Sequence, residues 1–252
     1  MPSVSATIIT KNEAGSIERA IRSLGAADEI VVVDCGSTDG TVDAAKRLGA
    51  RVLEHPWESF ASQKNFAAGE AGHDWILSLD ADEELNPDAR DFLRAWKSSL
   101  PGAAAYRLAR RARYCGRWIR HSGWYPDWKI RLYDRRRGRF EGAYVHESVA
   151  TDGPVGTLPG EILHYTCDSL AEHRSRIEFY TDLAAREMFD HNEGVSALER
   201  LVMPPWGFVN AYFLRLGVLD GAAGFNIARM AARYVRRKYD KLEALRAQAA
   251  GR

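Results

Sequence analysis

The first eighty residues alternate short apolar runs with amphipathic stretches. Residues 4–9 form a run of strand length, and Ile17, Ala20, Ile21 and Leu24 then recur at the spacing of a helix with one apolar face. Gly25 closes that helix. Ile30-Val31-Val32-Val33 is a continuous β-branched run, the pattern of a strand covered on both faces in a parallel sheet. A helix with Val42, Ala45 and Leu48 inward follows, then a short strand over 51–54, a helix over 63–71 and a fourth apolar run from Trp75 to Leu79. This alternation predicts an α/β fold with a Rossmann-type, mostly parallel central sheet flanked by helices. Its ligand site should lie along the carboxyl edge.

The fourth run stops at Asp80-Ala81-Asp82-Glu83-Glu84. On a strand, positions i and i+2 point to the same side, which would set Asp80 and Asp82 together at the rim of the sheet. Oxygen ligands of that kind suit Mg²⁺ or Mn²⁺, above all a cation that also holds a diphosphate. The competing reading is a helix N-cap, since acids favour a first helical turn. Glu13, Asp34 and Asp39 fall on the same edge, although Ser37-Thr38-Asp39-Gly40 would also serve as an ordinary turn and cap. The convergence of acids is the informative feature. Neither GxGxxG nor GxxxxGK[ST] occurs, so a nucleotide here would have its diphosphate neutralised by a metal on Asp82 rather than by a glycine-rich cradle.

Thr10-Lys11-Asn12-Glu13, the stretch Val33 to Thr41, Gln63-Lys64-Asn65 and Asp80-Ala81-Asp82 together resemble family 2 glycosyltransferases of the GT-A fold. Further segments resemble the lipopolysaccharide-core β-1,4-glucosyltransferase group within them: the run His121 to Asp127, His146-Glu147, His164-Tyr165 and the run Leu219 to Gly224. The resemblance implies that Ile9, Thr10, Glu13, Asp34 and Lys64 line a nucleotide pocket, and that Asp80 and Asp82 reach ribose and metal. It implies a divalent cation, Mg²⁺ or Mn²⁺, as cofactor. It also implies a late histidine in the metal shell; His146 is the candidate, while His164 reads as structural. Many relatives carry a second acid where Cys35 stands, which leaves contact with the base to Asp34.

Inverting sugar transfer needs a group that takes the proton from the acceptor hydroxyl. Two carboxylates compete: Asp127, ahead of the alternating run Lys129 to Tyr133, and Glu147 beside His146. The alternative for Asp127 is a structural ion pair with Arg131, or with Arg113, Arg117 or Arg120. Arg111, Arg113, Arg117 and Arg120 form a dense basic stretch that is either a solvated face or a clamp for acceptor phosphates.

From Leu170 to His191 the periodicity is helical. Residues 201–219 are then strongly apolar and aromatic, interrupted by Pro204, Pro205 and Gly207. A last helix, over 225–247, carries Arg229, Arg233, Arg236, Arg237, Lys238, Lys241 and Arg246 against only Asp240 and Glu243. An aromatic wedge beside a basic helix is the pattern of a segment attracted to an anionic membrane surface; the alternative is a packing helix with its charges in solvent. Residues 1–168 thus read as a nucleotide-sugar-binding catalytic domain, and 169–252 as a helical C-terminal appendage facing membrane or acceptor.

Composition adds bounds rather than direction. Apolar residues make up 46% and charged residues 27% of the 252, ordinary for a globular chain. A net charge of +1 with an acidic sheet edge argues against a nucleic-acid partner. Cys35, Cys115 and Cys167 are too few and too far apart for a disulfide framework, which fits a reducing compartment. Residues 1–10 read as a strand rather than a leader, and no apolar run approaches the roughly 20 residues of a spanning helix. The expectation is a cytoplasmic enzyme, peripheral on the inner face of the cytoplasmic membrane. It would be an inverting transferase moving a hexose, glucose first, from a UDP-sugar to the inner core of a lipid-anchored oligosaccharide. Alternatives are a polyprenyl phosphate, peptide or capsular acceptor, or a sugar-nucleotide-binding protein without turnover.

Overall fold

The computed structural model describes residues 1–142 and 147–250. In chain order the elements begin with β1 (Val4–Thr10), α1 (Ile17–Ser23), β2 (Glu29–Asp34), α2 (Thr41–Arg47), β3 (Arg51–Glu54) and α3 (Phe60–Glu70). They continue with β4 (Trp75–Asp80), β5 (Glu83–Leu85), α4 (Pro87–Trp96), β6 (Ala105–Tyr114), β7 (Arg117–Trp118) and β8 (Asp127–Asp134). After β9 (Gly138–Glu141), β10 (Ser148–Thr151) and β11 (Val155–Cys167) the chain is helical: α5 (Leu170–Asp190), α6 (Ala197–Val209) and α7 (Gly221–Ala250).

The main sheet runs β3-β2-β1-β4-β8-β6-β11-β5, with β7 beside β6. Its first four strands are parallel, as the alternation of runs and helices requires. Beyond β4 the pairing turns antiparallel, β4 with β8, β8 with β6 and β11 with β5. The sheet as a whole is therefore mixed, a parallel half as expected joined to an antiparallel one. The physical reason is connectivity: from residue 105 onward the strands follow one another without the helical crossover that parallel neighbours need.

The chain divides into two compact units, residues 1–110 with 127–165, and residues 111–126 with 166–252. In the first, β1 buries Val4, Ala6 and Ile8 on one face of the sheet against Ile17, Ile21 and Leu24 of the α1 region and Leu93 and Trp96 of α4. Val31 and Val33 of β2 face the other way, onto Ala67 of α3. Coverage of both faces explains why these strands read as unbroken apolar runs.

In the second unit, residues 111–126 group with the C-terminal helices. Tyr114 and Ile119 pack with Cys167 and with Ile227 of α7. The motif residues here have local roles. The Asp220 carboxylate, buried, accepts from the backbone N–H of His121 (3.0 Å) and pairs with His121 Nδ1 (3.1 Å). Gly224 permits a close backbone approach, since a Cβ there would stand 1.8 Å from the Gly217 carbonyl oxygen. Much of the basic character of α7 is engaged internally. Glu178 of α5 accepts from Arg233 and Arg237, and Lys241 pairs with Glu178 and Asp182. Among the described residues no helix is long and apolar enough to cross a membrane.

Candidate active site

The carboxyl edge of the parallel strands gathers the acids as the pattern predicts. Register sets Thr10 opposite Asp34, and Ile9 between Val33 and Asp80. The two loops leaving β1 and β2 are tied to each other. Asn12 accepts from the Thr38 N–H (2.8 Å), Ser37 accepts from the Asn12 N–H (2.8 Å), and the Glu13 N–H donates to Thr41 Oγ1 (2.8 Å). Asp39 belongs to this tie: its carboxylate accepts from the N–H groups of Thr41 (3.0 Å) and Ala14 (3.2 Å). Asp34 turns inward on its own loop, accepting from the N–H groups of Gly36 (2.9 Å) and Ser37 (2.8 Å) and from the Ser37 hydroxyl.

Asp80 and Asp82 do not share a strand. Asp80 is the last residue of β4, and Asp82 sits in the two-residue turn before β5, because the chain reverses there instead of running on. Their partners differ accordingly. Lys64 of α3, buried, places Nζ 2.9 Å from Asp80 Oδ1 and 2.9 Å from Glu147 Oε1. Arg131 of β8, also buried, donates from Nη2 to Asp80 Oδ2 (2.9 Å) and to Glu83 Oε1 (2.7 Å). Burial would raise the pKa of Asp80, but Arg131 and Lys64 outweigh it and hold the carboxyl well below the ordinary carboxylate range. Asp82 Oδ2 instead lies 3.1 Å from His164 Nε2. His164 is thus beside the acidic turn. His146 lies outside the described residues, and among those described no cluster of three or more His, Cys, Asp or Glu is arranged to hold a metal.

Asp127 opens β8. Its Oδ2 accepts from Arg110 Nε (2.9 Å) and Nη2 (2.6 Å), and Oδ1 lies 3.3 Å from Lys129 Nζ. The cation partner is therefore Arg110, with Lys129, and not Arg131, which is drawn to Asp80 and Glu83. Burial would raise the Asp127 pKa; Arg110 and Lys129 bring it below the usual value instead. The side chain is ionised at neutral pH, as a proton acceptor must be, at some cost in basicity.

Arg110 and Glu83 join the site with no role predicted for them from sequence, and Arg131 with a different partner from the one expected. One signal for Arg131 was available: Asp127, Lys129 and Arg131 stand at i, i+2 and i+4, which share a face once the segment is a strand. In sequence Glu83 is one more acid of the turn; the fold buries it fully, with Arg110 Nη1 (3.0 Å) and Arg131 Nη2 (2.7 Å) on one oxygen. The basic stretch beyond Arg110 divides as well: Arg111 lies over the ring of Trp118 (5.3 Å), outside this cluster.

A half-parallel sheet with acids at its carboxyl edge, where a buried lysine and arginine hold Asp80 and a histidine lies beside Asp82, defines a GT-A-like fold. Comparison with known proteins agrees. The glycosyl transferase family 2 model matches residues 5–150, and the chain belongs to that family of glycosyltransferases. It is 32% identical over 237 residues to an uncharacterised glycosyltransferase of Rickettsia typhi, covering 89% of this chain and 81% of the relative. It is 30% identical over 240 residues to the lipopolysaccharide core biosynthesis glycosyltransferase LpsC of Rhizobium meliloti, covering 92% and 88%. The mannosyltransferase PcManGT of Pyrobaculum calidifontis, solved in complex with GDP-Man and Mn²⁺, superposes with a TM-score of 0.56 at 17% identity, over 96% of this chain and 87% of that one. That likeness speaks for the fold.

Proposed function

We propose that this glycosyltransferase is an inverting, metal-dependent hexosyltransferase that moves glucose from a UDP-sugar to the inner core of a lipid-anchored oligosaccharide. The observation that carries the reading is the placement of Asp80 between Lys64 and Arg131, with the two candidate bases, Asp127 and Glu147, tied into the same network of charges. The similarity to LpsC over most of both chains supports the acceptor class.

The residues present fit a divalent cation. Asp82 offers a hard oxygen and His164 an imidazole 3.1 Å away, so donor oxygens and water would complete the shell. A bound Mg²⁺ or Mn²⁺ supplies neutralisation of the departing diphosphate. The chain's own groups do the rest. Lys64 adds positive charge beside the donor carboxylate, where such charge favours a leaving anion. Asp127 takes the proton of the acceptor hydroxyl as its oxygen attacks the anomeric carbon and the bond from that carbon to the diphosphate breaks. Glu147, 2.9 Å from Lys64, is the second candidate for that role. The assay pairs UDP-glucose, other UDP-sugars and GDP-mannose with a lipid A–inner core acceptor, with Mn²⁺ and with chelator. Metal-dependent transfer from UDP-glucose with inverted anomeric configuration is the expected result; affinity for the donor without turnover overturns it.

A lipid-anchored acceptor also calls for contact with the bilayer. Residues 201–219 carry a single charge, Arg215, and Leu201, Val202, Trp206, Phe213, Leu214 and Leu219 are exposed along α6 and the turns after it. Since Arg233, Arg237 and Lys241 are engaged with α5, this apolar wedge rather than the basic face of α7 is the better candidate for the lipid contact. Binding to anionic vesicles should then persist at about 0.5 M salt, where exposed charges are largely screened. Trp206→Glu should weaken it. Failure to co-sediment at low salt defeats the membrane assignment.

A further inference from the structure

The buried carboxylate of Glu83 has no part in the scheme above, yet it joins the Asp127 end of a charge network to the Asp80 end. From one end the network runs Asp127, Arg110, Glu83, Arg131, Asp80, Lys64, Glu147, each linked to the next by contacts of 2.6–3.0 Å. Acids and cations alternate at every step. We propose that Glu83 is a positioning residue of the transfer reaction, which by sharing its charge between Arg110 and Arg131 fixes the donor carboxylate Asp80 and the candidate base Asp127 in one frame.

Three features point beyond a simple structural ion pair. First, Glu83 is 0% exposed, and a buried charge cluster is a poor source of stability compared with apolar packing of the same volume. Second, the sharing is lopsided. Arg131 uses one nitrogen, Nη2, for both Asp80 and Glu83, while its Nε is buried without a partner. Arg131 is therefore oriented by the two carboxylates and not by full use of its donors. Third, Glu83 also clamps the turn itself, since Oε2 accepts from the Asp80 N–H at 3.0 Å. The turn that carries Asp82 is thus braced from within by the side chain that follows it.

The consequence of neutralising Glu83 follows from charge competition. Without its anion, Arg131 has only Asp80 to pair with, and Arg110 only Asp127. Each arginine would close more fully on its remaining carboxylate, making Asp80 less available to the donor and Asp127 a weaker, misdirected base. The first effect reads out in donor KM and the second in kcat.

The inference rests on the proposed role of Asp127, and the experiment separates the two. Glu83→Gln, assayed on protein shown to be folded by circular dichroism, should lower kcat about 30-fold and raise donor KM about fivefold, the size of effect a small misplacement produces. In an Asp127→Asn background, Glu83→Gln should cost less than about threefold in kcat, because the arm it acts through is already cut. Unchanged kcat and donor KM in folded Glu83→Gln, or losses that simply multiply in the double variant, overturn the proposal. If Asp127→Asn alone turns over like the wild type, the base assignment fails, and Glu83 is judged on the donor KM arm, where a change under twofold overturns it. Should Glu83→Gln not fold, Arg110→Gln severs the same network from its more exposed side. A change in donor KM beside the fall in kcat supports the proposal, because Arg110 reaches Asp80 by way of Glu83 and Arg131, and an unchanged donor KM refutes it.

Discussion

Asp82→Asn should abolish transfer at physiological metal concentration, with a loss of about 10³-fold, the scale of removing a principal electrostatic stabiliser of a leaving group. The substitution is nearly isosteric and stands apart from the Lys64–Asp80–Arg131 contacts, so the donor edge keeps its shape. What it removes is the negative charge beside His164. An amide oxygen is a weaker ligand for a hard cation than a carboxylate. The measurement is a Mn²⁺ titration of UDP-sugar hydrolysis without acceptor. The variant should need far more Mn²⁺ and fail to reach wild-type turnover at saturation. Wild-type activity at unchanged metal dependence would remove Asp82 from the metal site.

Asp127→Asn should lower kcat by about 10²–10⁴-fold, the range of general-base contributions, while leaving donor binding near that of the wild type. The separation is the diagnostic part. Among the described residues Asp127 is linked to Asp80 through the relay of Arg110, Glu83 and Arg131, so its loss should act first on the acceptor step. Glu147→Gln should behave differently. Glu147 shares Lys64 with Asp80 at 2.9 Å, and removing its charge turns Lys64 wholly toward Asp80, which perturbs donor KM. Near-wild-type kcat in Asp127→Asn together with a large kcat loss in Glu147→Gln would exchange the two roles.

The parallel half of the fold was legible because burial on two faces leaves an unmistakable run such as Ile30 to Val33, and because Gly25 and Gly49 mark where the helical patterns stop. The antiparallel half was less so. Strands such as β6 mix arginines with alanines, and their pairing depends on partners far away in sequence. The site shows the same division. Asp34, Asp80 and Asp82 stood out as acids where apolar strand runs end, and Lys64 through the resemblance carried by Gln63-Lys64-Asn65. Their contacts did not, since the Asp80–Arg131 and Lys64–Glu147 pairs join residues 51 and 83 positions apart. Glu83 was hidden for a simpler reason: in a run of four acids among five residues, nothing local distinguishes the one that turns inward.

One turn of α3 makes three unrelated attachments. Gln63 donates to the carbonyls of His55 and Pro56, Lys64 joins Asp80 to Glu147, and Asn65 exchanges two hydrogen bonds with the backbone of Phe140. Consecutive helical residues point about 100° apart, so the three directions are set by one rigid phase angle. Evolution could alter the solvent face of this helix, but a single residue inserted or deleted between Asn65 and the buried Ala67 and Ala68 would rotate all three anchors together relative to the packed half of the helix. The α3 segment should therefore drift in sequence while its length and phase stay locked, like a key whose teeth are spaced by the helix itself.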